Sequence, residues 1–360
     1  MGWNHLRQAI ERATSEPGEQ YRGIQMSEQI ATAASKESSV EAFCRATAAG
    51  RTHWCKRRHL LDTDDLNAQE LASLIEVARQ AKRLITDNAA PLAVLQAKTI
   101  ANVFYENSTR TRSSFELAAR KLGATVVNLD VASSSVAKGE TIIDTSKTLL
   151  AMGVSALIQR HSASGSAHQM AQVVGDDLQI INAGDGWNAH PTQALLDYFS
   201  MHEVHGDLRG VKIAIIGDIK HSRVARSNIR LLTNFGAEVH VAGPPTLMPV
   251  ELSQLGVTVH SKVEPALENA DFVMVLRLQL ERQKQGLIPS IGEYRRLYRI
   301  DSARLRLANA AARVMHPGPM NRDLEISDEL VERTEKSLIT TQVTKGVAVR
   351  MAVLSLLLGE

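Results

Sequence analysis

The stretch VKIAIIGDIKHSRVARSNIRLLTNFGAEVHVAGP, residues 211–244, decides the fold class of this chain. It opens with an apolar run of strand length, continues from Arg223 with a helical pattern, and ends in a second apolar run, EVHVA. Parallel strands are joined through a crossover helix, and strands covered on both faces are apolar along their whole length. The stretch therefore predicts a βαβ unit of a parallel sheet.

The same alternation of strand and helix continues on both sides of this unit. Apolar runs of strand length recur at KTIANVFYE, GATVVNLD, SALIQRH, QIINAGDG and DFVMVLR, with helical patterns between them. Such alternation is typical of parallel sheets with helices on both faces. Two series meet near residue 190. We therefore predict an α/β protein of two doubly wound parallel-sheet domains, 51–190 and 191–340, with the active site in the crevice between them.

A helical pattern precedes the first predicted strand. Within 59–85, one helix face carries Leu66, Leu71, Leu74, Ile75 and Ala78. Acidic residues at 62–64 are suited to a helix start. We therefore predict an amphipathic helix that is capped near residues 62–64.

Composition and charge narrow the class of protein. The 360 residues are 44% hydrophobic and 22% charged, which is typical of globular proteins, and the length favours two domains. A net charge of +2 is too small to indicate nucleic-acid or membrane-surface binding. Cys44 and Cys55 form neither a metal-ligand spacing nor a disulfide framework, as expected in the cytoplasm. We expect no apolar stretch to approach the length needed to span a bilayer.

The first 50 residues differ from the rest of the chain. They are rich in Ser, Ala, Glu and Gln and poor in large apolar residues, so we predict a disordered extension. Scattered glutamates and the lack of an apolar core disfavour a transit or secretory peptide. A docking segment for a partner enzyme is the alternative interpretation.

Charged and hydroxyl residues cluster where one predicted strand ends. FYENSTRTR, residues 104–112, places Arg110 at the start of a predicted helix, with Ser108 as its N-cap. The first helical turn has unpaired N–H groups, and a guanidinium matches the shape of a phosphate. No GxxxxGK[ST] loop is present, and IIGDIKHSR has one glycine where a dinucleotide fingerprint needs three. These features predict a non-nucleotide phosphate ligand, and surface salt bridges are the alternative.

Five further residues fall at the carboxyl ends of predicted strands or in the loops between elements. Lys138 lies in the loop SSSVAKGET, Arg160 ends the run SALIQRH, and the turn MHPGP contains Gly318. His190 and Gln193 begin the helix that follows QIINAGDG. Each signal is weak alone, since a histidine at a helix start is more often a cap or a core residue. Because the carboxyl ends of parallel strands share one edge, we predict that these residues line one crevice.

These motifs, in this order, carry a family resemblance over residues 51–360. S-T-R-T-R-x-S-F-E, K-G-E-T, H-P-T-Q-x-L-L-D, L-R-x-Q-x-E-R and H-P-G-P-x-N-R resemble the aspartate/ornithine carbamoyltransferase family. Ornithine-specific members usually carry a His-Cys-Leu-Pro segment and a Ser-Met-Gly loop, where this chain has HPGP and LRLQLER. The resemblance therefore implies transfer of the carbamoyl group of carbamoyl phosphate to aspartate, an early step of pyrimidine synthesis. Carbamoylation of ornithine or another amino acid is the alternative.

The resemblance also implies a role for each motif residue. The phosphate would be held by Ser108, Thr109, Arg110 and Thr111. The carbonyl oxygen would be held by Thr111, Arg160 and His190, which with Arg110 form the implied catalytic set. The carbamoyl NH2 would be held by Gln193 and the turn of Pro317, Gly318 and Pro319. The aspartate carboxylates would be held by Lys138, Arg223, Arg277 and Gln279. Neither a metal nor an organic cofactor is implied.

The resemblance also implies an oligomeric state, and two other classes of protein are considered as alternatives. The family forms catalytic trimers, so Ser134 and Lys138 are expected in the neighbouring subunit's site, and a helix at 341–360 is expected to return to the first domain. Regulatory chains or pathway enzymes are further partners that the sequence leaves open. A non-catalytic scaffold is disfavoured because the charged site residues are all present. A nucleotide-binding regulator is disfavoured because the phosphate loop is missing.

Overall fold

The computed structural model describes residues 37–130, 141–280, 286–333 and 335–359. The first half contains β1 (Thr99–Phe104), β2 (Thr125–Asp130), β3 (Ala156–His161) and β4 (Gln179–Asp185). Its helices are α1 (Ser39–Trp54), α2 (Ala68–Thr86), α3 (Thr109–Lys121), α4 (Ile142–Ala151), α5 (Ser166–Val174) and α6 (Pro191–His205).

The second half contains β5 (Lys212–Ile216), β6 (Glu238–Ala242), β7 (Thr258–His260), β8 (Phe272–Val275) and β9 (Arg313–Met315). Its helices are α7 (Arg223–Asn234), α8 (Val263–Leu267), α9 (Ile291–Tyr298), α10 (Ser302–Leu305), α11 (Asp328–Glu332) and α12 (Ile339–Leu358).

Two separate sheets confirm the predicted fold class. The strand orders are β2-β1-β3-β4 and β7-β6-β5-β8-β9, and every pair of neighbouring strands is parallel. In the first sheet the chain order reverses between β1 and β3, and in the second it reverses between β5 and β8. Ligands of such sheets bind outside the carboxyl ends of the strands, at this point of reversal.

Helix α12, at the end of the chain, packs against the first half of the molecule. It packs against α1, α2, α3 and α6, and Ala348, Val349, Ala352, Val353 and Leu354 are wholly buried on it. By length and composition this helix could cross a membrane, so the expectation that no segment is long and apolar enough was wrong. Its apolar composition is explained by packing, because 72% of that segment is buried inside the protein, as in a core helix.

Helix α1 corrects the predicted extent of the N-terminal extension. Residues from 39 onward are helical, where disorder to residue 50 was predicted. Ser38 and Glu41 form a reciprocal capping box at its start, while Phe43 and Trp54 are buried against the core. The Trp54 indole N–H donates to the carbonyl of Glu70 at 2.9 Å. These two aromatic side chains therefore bury the apolar surface that holds α1 on the core, which the surrounding small residues cannot provide.

Helix α2 begins later than its acidic residues suggested. Its N-cap is Asn67, whose side chain accepts from the N–H of Gln69 and of Glu70, and Glu70 completes a capping box. The predicted cap at 62–64 was therefore wrong. Asp62 instead forms an ion pair with Arg230 of α7, which ties the two halves of the chain together.

Asp62 should make stability depend on pH. Burial raises its pKa from 3.8 to about 6, although the Arg230 guanidinium lowers it. Between pH 3.8 and pH 6 the Asp62 carboxyl is protonated in the folded state but ionised in the unfolded state. The stability that the bound proton contributes is therefore lost as pH rises through about 6. We expect Asp62→Asn to remove the effect. Between pH 4 and pH 7, wild type should lose roughly 2 kcal/mol of unfolding free energy that the variant keeps.

Urea unfolding at a series of pH values measures this difference. An exposed carboxylate away from Asp62 offers a matched control: Asp87→Asn, at the C-terminal end of α2, should keep the wild-type slope. Parallel pH profiles for Asp62→Asn and wild type would contradict the prediction.

Candidate active site

The two points of strand reversal face one cleft with a volume of about 980 Å³. It collects the predicted site residues Ser108, Thr109, Arg110, Thr111, Arg160, His190, Gln193, Arg223, Arg277, Gln279, Pro317, Gly318 and Pro319. Ser134 and Lys138 lie outside the described residues. Residues that are far apart in sequence thus meet because the carboxyl ends of six strands, β1, β3, β4, β5, β8 and β9, meet at this cleft.

The N-terminus of α3 is built to receive an anion. Ser108 is its N-cap residue, as predicted, but its side chain makes no capping hydrogen bond, and the first turn holds no acidic residue. The unpaired N–H groups and the positive end of the helix dipole are thus left to a ligand. Arg110 is exposed on this turn and lines the cleft, whereas Thr111 is buried beneath it. The arrangement fits a phosphate group.

Gly318 allows the Arg110 guanidinium to lie against the opposite wall. Its φ of +58° falls in the left-handed region, and a Cβ atom there would overlap the guanidinium. The turn is braced by His316, whose Nδ1 accepts the Gly318 N–H at 2.8 Å. A side chain at 318 would therefore strain the turn and displace the Arg110 guanidinium.

We expect Gly318→Ala to raise the KM for the phosphorylated substrate by roughly tenfold or more, since it displaces Arg110 and strains the turn. Steady-state kinetics of the variant measures the change. Gly153→Ala is the control, because that glycine also has a positive φ, of +83°, but has open space around it. Equal KM values for the Gly318 variant and wild type would contradict the predicted contact.

Glu106 joins two predicted site arginines across the cleft. Its carboxylate lies 2.7 Å from Arg223 Nη2 and 3.5 Å from Arg160 Nε. Arg160 Nη1 also donates to the carbonyl of Ala183 at 3.2 Å. Gly184 makes room for both guanidiniums, because a Cβ there would lie 3.0 Å from Arg223 and 3.2 Å from Arg160. The predicted carboxylate clamp Arg223 therefore already holds a carboxylate of the protein.

His190 is a neutral donor or acceptor in this environment. It is 4% exposed at the N-cap position of α6. Burial lowers the pKa of its imidazole well below 6.5, and the positive charges of Arg160, Arg223, Arg350 and Arg110 lower it further. Its backbone N–H donates to Ser227 Oγ at 2.9 Å, so the backbone of the residue is held across the two halves.

The second half contributes Arg277 and Gln279 from the loop after β8. Gln279 Nε2 donates to the His221 carbonyl at 3.1 Å. His221 Nδ1 lies 3.0 Å from the Asp218 carboxylate, in the loop after β5. The loops at the second reversal point thus support each other beside the cleft.

Sequence reasoning missed Glu106 and Arg350 as cleft residues. Glu106 lies in the quoted FYENSTRTR stretch, so its position at a strand end was a usable signal. Arg350 had no such signal, because it lies within the apolar pattern of α12. It is buried with its guanidinium 4.9 Å from the centre of the Phe115 ring, and burial lowers its pKa to about 10.

Fold and site together define a two-domain α/β protein that binds anionic ligands between its domains. Residues 58–203 match the carbamoyl-phosphate-binding domain of aspartate/ornithine carbamoyltransferases, and residues 209–357 match their aspartate/ornithine-binding domain. The chain belongs to the aspartate/ornithine carbamoyltransferase family.

Individual relatives refine this assignment. The chain is 53% identical over 302 residues to an aspartate carbamoyltransferase catalytic subunit of Ruminiclostridium cellulolyticum, covering 84% of this chain and 96% of the relative. An aspartate transcarbamoylase of Trypanosoma cruzi, solved with carbamoyl phosphate and aspartate, superposes with a TM-score of 0.75 at 31% identity, covering 84% and 97% of the two chains. Ornithine carbamoyltransferase of Pyrococcus furiosus superposes equally well, with a TM-score of 0.75 at 27% identity and the same coverage.

Proposed function

We propose that this protein transfers the carbamoyl group of carbamoyl phosphate to the amine of L-aspartate, giving N-carbamoyl-L-aspartate and phosphate. One observation carries the proposal: a helix N-terminus with Arg110 faces a second set of cationic and amide groups, Arg223, Arg277 and Gln279, across one cleft. The first set suits a phosphate dianion and the second suits carboxylates. The identity to aspartate-specific relatives supports aspartate as the acceptor.

The chemistry follows from the placement of these groups. The aspartate amine attacks the carbonyl carbon, negative charge develops on the carbonyl oxygen, and the C–O bond to phosphate then breaks. Thr111, Arg160 and His190 are the donors proposed for that oxygen, and Arg110 stabilises the departing phosphate. Neutral His190 donates a hydrogen bond without accepting the amine proton, for which the departing phosphate or water is available. Catalysis thus consists of positioning and charge stabilisation.

The test compares two acceptors. The protein is incubated with carbamoyl phosphate and either aspartate or ornithine, and phosphate release is measured. Ornithine would bring an ammonium group beside the guanidiniums of Arg223 and Arg277, and like charges in a closed site cost several kcal/mol. We expect release with aspartate only. Comparable turnover with ornithine would overturn the proposal.

The proposal extends to a cytoplasmic homotrimer in which a neighbouring subunit supplies Ser134 and Lys138 to each site. In support, Cys44 and Cys55 are free and exposed, which suits a reducing compartment. The loop around Lys138 is rich in serine and small residues, which suits a segment that reaches away from its own fold.

A complementation experiment tests the shared site. Arg110→Ala and Lys138→Ala homotrimers should each be nearly inactive. After unfolding, equal mixing and reassembly, about three-quarters of the trimers contain both chains, and each such trimer has one intact site. We expect recovery of roughly one-quarter of wild-type activity. No recovery, with trimers confirmed by sedimentation, would exclude the shared site.

A further inference from the structure

Asp197 is a wholly buried carboxylate one helical turn after Gln193 on α6. Three side-chain amides donate to it. Its Oδ1 accepts from Gln193 Nε2 at 3.0 Å and from Gln342 Nε2 at 2.7 Å, and its Oδ2 accepts from Asn228 Nδ2 at 2.9 Å. These donors come from α6, α12 and α7, so the carboxylate lies where three helices of both halves meet.

Backbone groups fix the orientation of two of these amides. The His316 N–H donates to Gln342 Oε1 at 3.2 Å, so the nitrogen of Gln342 must face Asp197. Asn228 Nδ2 also donates to the carbonyl of Val224 at 3.0 Å, which only a donor can satisfy. Both amides therefore present N–H groups to Asp197, and the carboxylate serves them as an acceptor.

This arrangement determines which end of the Gln193 amide faces the cleft. With Nε2 bonded to Asp197, the oxygen Oε1 is the end left for a ligand. Burial raises the pKa of Asp197 to about 7, while the three amides and the Arg350 guanidinium favour its ionised, accepting form. Above pH 7 the carboxyl is mostly ionised and cannot donate, so there the reversed orientation of Gln193 would place its oxygen against another oxygen.

We propose that Asp197 is a positioning residue that holds the Gln193 oxygen toward the cleft, so that the site selects a phosphorylated ligand bearing NH2 over one bearing methyl. The proposal rests on the proposed function, in which that ligand is carbamoyl phosphate. A donor NH2 satisfies Oε1, whereas the methyl group of acetyl phosphate leaves it unpaired.

The same carboxylate also supports the opposite wall of the cleft. Asp197 holds Gln342, Gln342 accepts from the His316 N–H, and His316 accepts from the Gly318 N–H. Two parts of the site that face a carbamoyl NH2, the Gln193 amide and the turn at Gly318, are therefore bonded to one anchor.

Asp197→Ala tests the proposal through a ratio of affinities. Calorimetric titration gives the dissociation constants of acetyl phosphate and carbamoyl phosphate, and their ratio measures the selection for NH2. Removing a negative charge changes the affinity for both phosphates alike, so the ratio is insensitive to it. We expect the ratio to fall by roughly three- to tenfold, the cost of ordering a freed side chain. An unchanged ratio in the folded variant would overturn the proposal.

Three further variants separate positioning from general structural support. Asp197→Asn should retain most of the ratio, because its one oxygen is best placed at the Oδ1 position, where two donors converge. Asn228→Ala removes a donor on the far side and should lower stability while keeping the ratio. In a Gln193→Ala background, Asp197→Ala should lower the ratio much less than in wild type, because only the route through Gln342 and the turn at Gly318 is left. An equal loss in the two backgrounds would show that Asp197 does not act through Gln193, which contradicts the proposal.

Two measurements keep the outcome decisive. Wild-type phosphate release with aspartate is measured first, so that failure of the proposed function is distinguished from failure of this inference. If Asp197→Ala and the smaller change Asp197→Ser both fail to fold, neutron diffraction from deuterium-exchanged wild-type crystals locates the amide deuterons. Deuterons of Gln193 directed at Asp197 support the proposal, and a reversed amide would overturn it.

Discussion

Replacing Arg110 with alanine is expected to lower kcat/KM for carbamoyl phosphate by roughly 10³-fold. The guanidinium lies at the free N-terminus of α3 and against Gly318, so it faces the phosphate both when the substrate binds and when the phosphate leaves. Charge on the phosphate grows as the C–O bond breaks. The loss should therefore appear in kcat as well as in KM, measured by phosphate release over a range of substrate concentrations.

The same turn of α3 supplies a matched control. Arg112 is exposed and does not line the cleft, so Arg112→Ala removes an equal charge two residues away. It should alter kcat/KM by only a few-fold, through the long-range field. Similar losses for the two variants would show that the effect is general electrostatics rather than contact with phosphate.

Replacing His190 with alanine should mainly lower kcat, by roughly 10²–10³-fold, because a donor to the developing oxyanion is lost. The KM values should change little, since the interaction strengthens as charge develops on the carbonyl oxygen. His190→Gln keeps an N–H donor and should recover part of the rate. Full kcat in His190→Ala would show that His190 has only a structural role at the start of α6.

The ionisation of His190 adds a second measurement. Because burial and the surrounding arginines lower its pKa well below 6.5, the wild-type kcat profile should show no limb from His190 between pH 6 and pH 8. A limb near pH 6.5 that disappears in His190→Gln would contradict the neutral donor.

Much of the fold could be predicted because strand and helix patterns are local. The apolar run at 211–218 and the helical pattern from Arg223 correspond to β5 and α7, and the alternation correctly predicted two parallel-sheet domains. Short elements such as β7 and α10 were not predicted, since three or four residues carry too little periodicity. The start of α2 was misplaced because several nearby polar residues could have capped it, and only the backbone geometry selects Asn67.

The sequence by itself determined the chemical character of the site. The order of its motifs identified the family, and the rule that ligands bind at strand ends predicted a shared crevice. These conclusions depend on residue type and local pattern, which are properties of the chain. Ser134 and Lys138 remain predictions, because they lie outside the described residues.

The tertiary structure alone decided which buried charges meet. Glu106 and Arg223 are 117 positions apart, and Asp197 and Gln342 are 145 apart, so no local pattern connects either pair. Each pairing exists because two sheets and the helix α12 bring their ends to one place, where a buried charge must find a partner. Sequence pattern determined what the groups are, whereas packing and the cost of burying charge determined which of them act together.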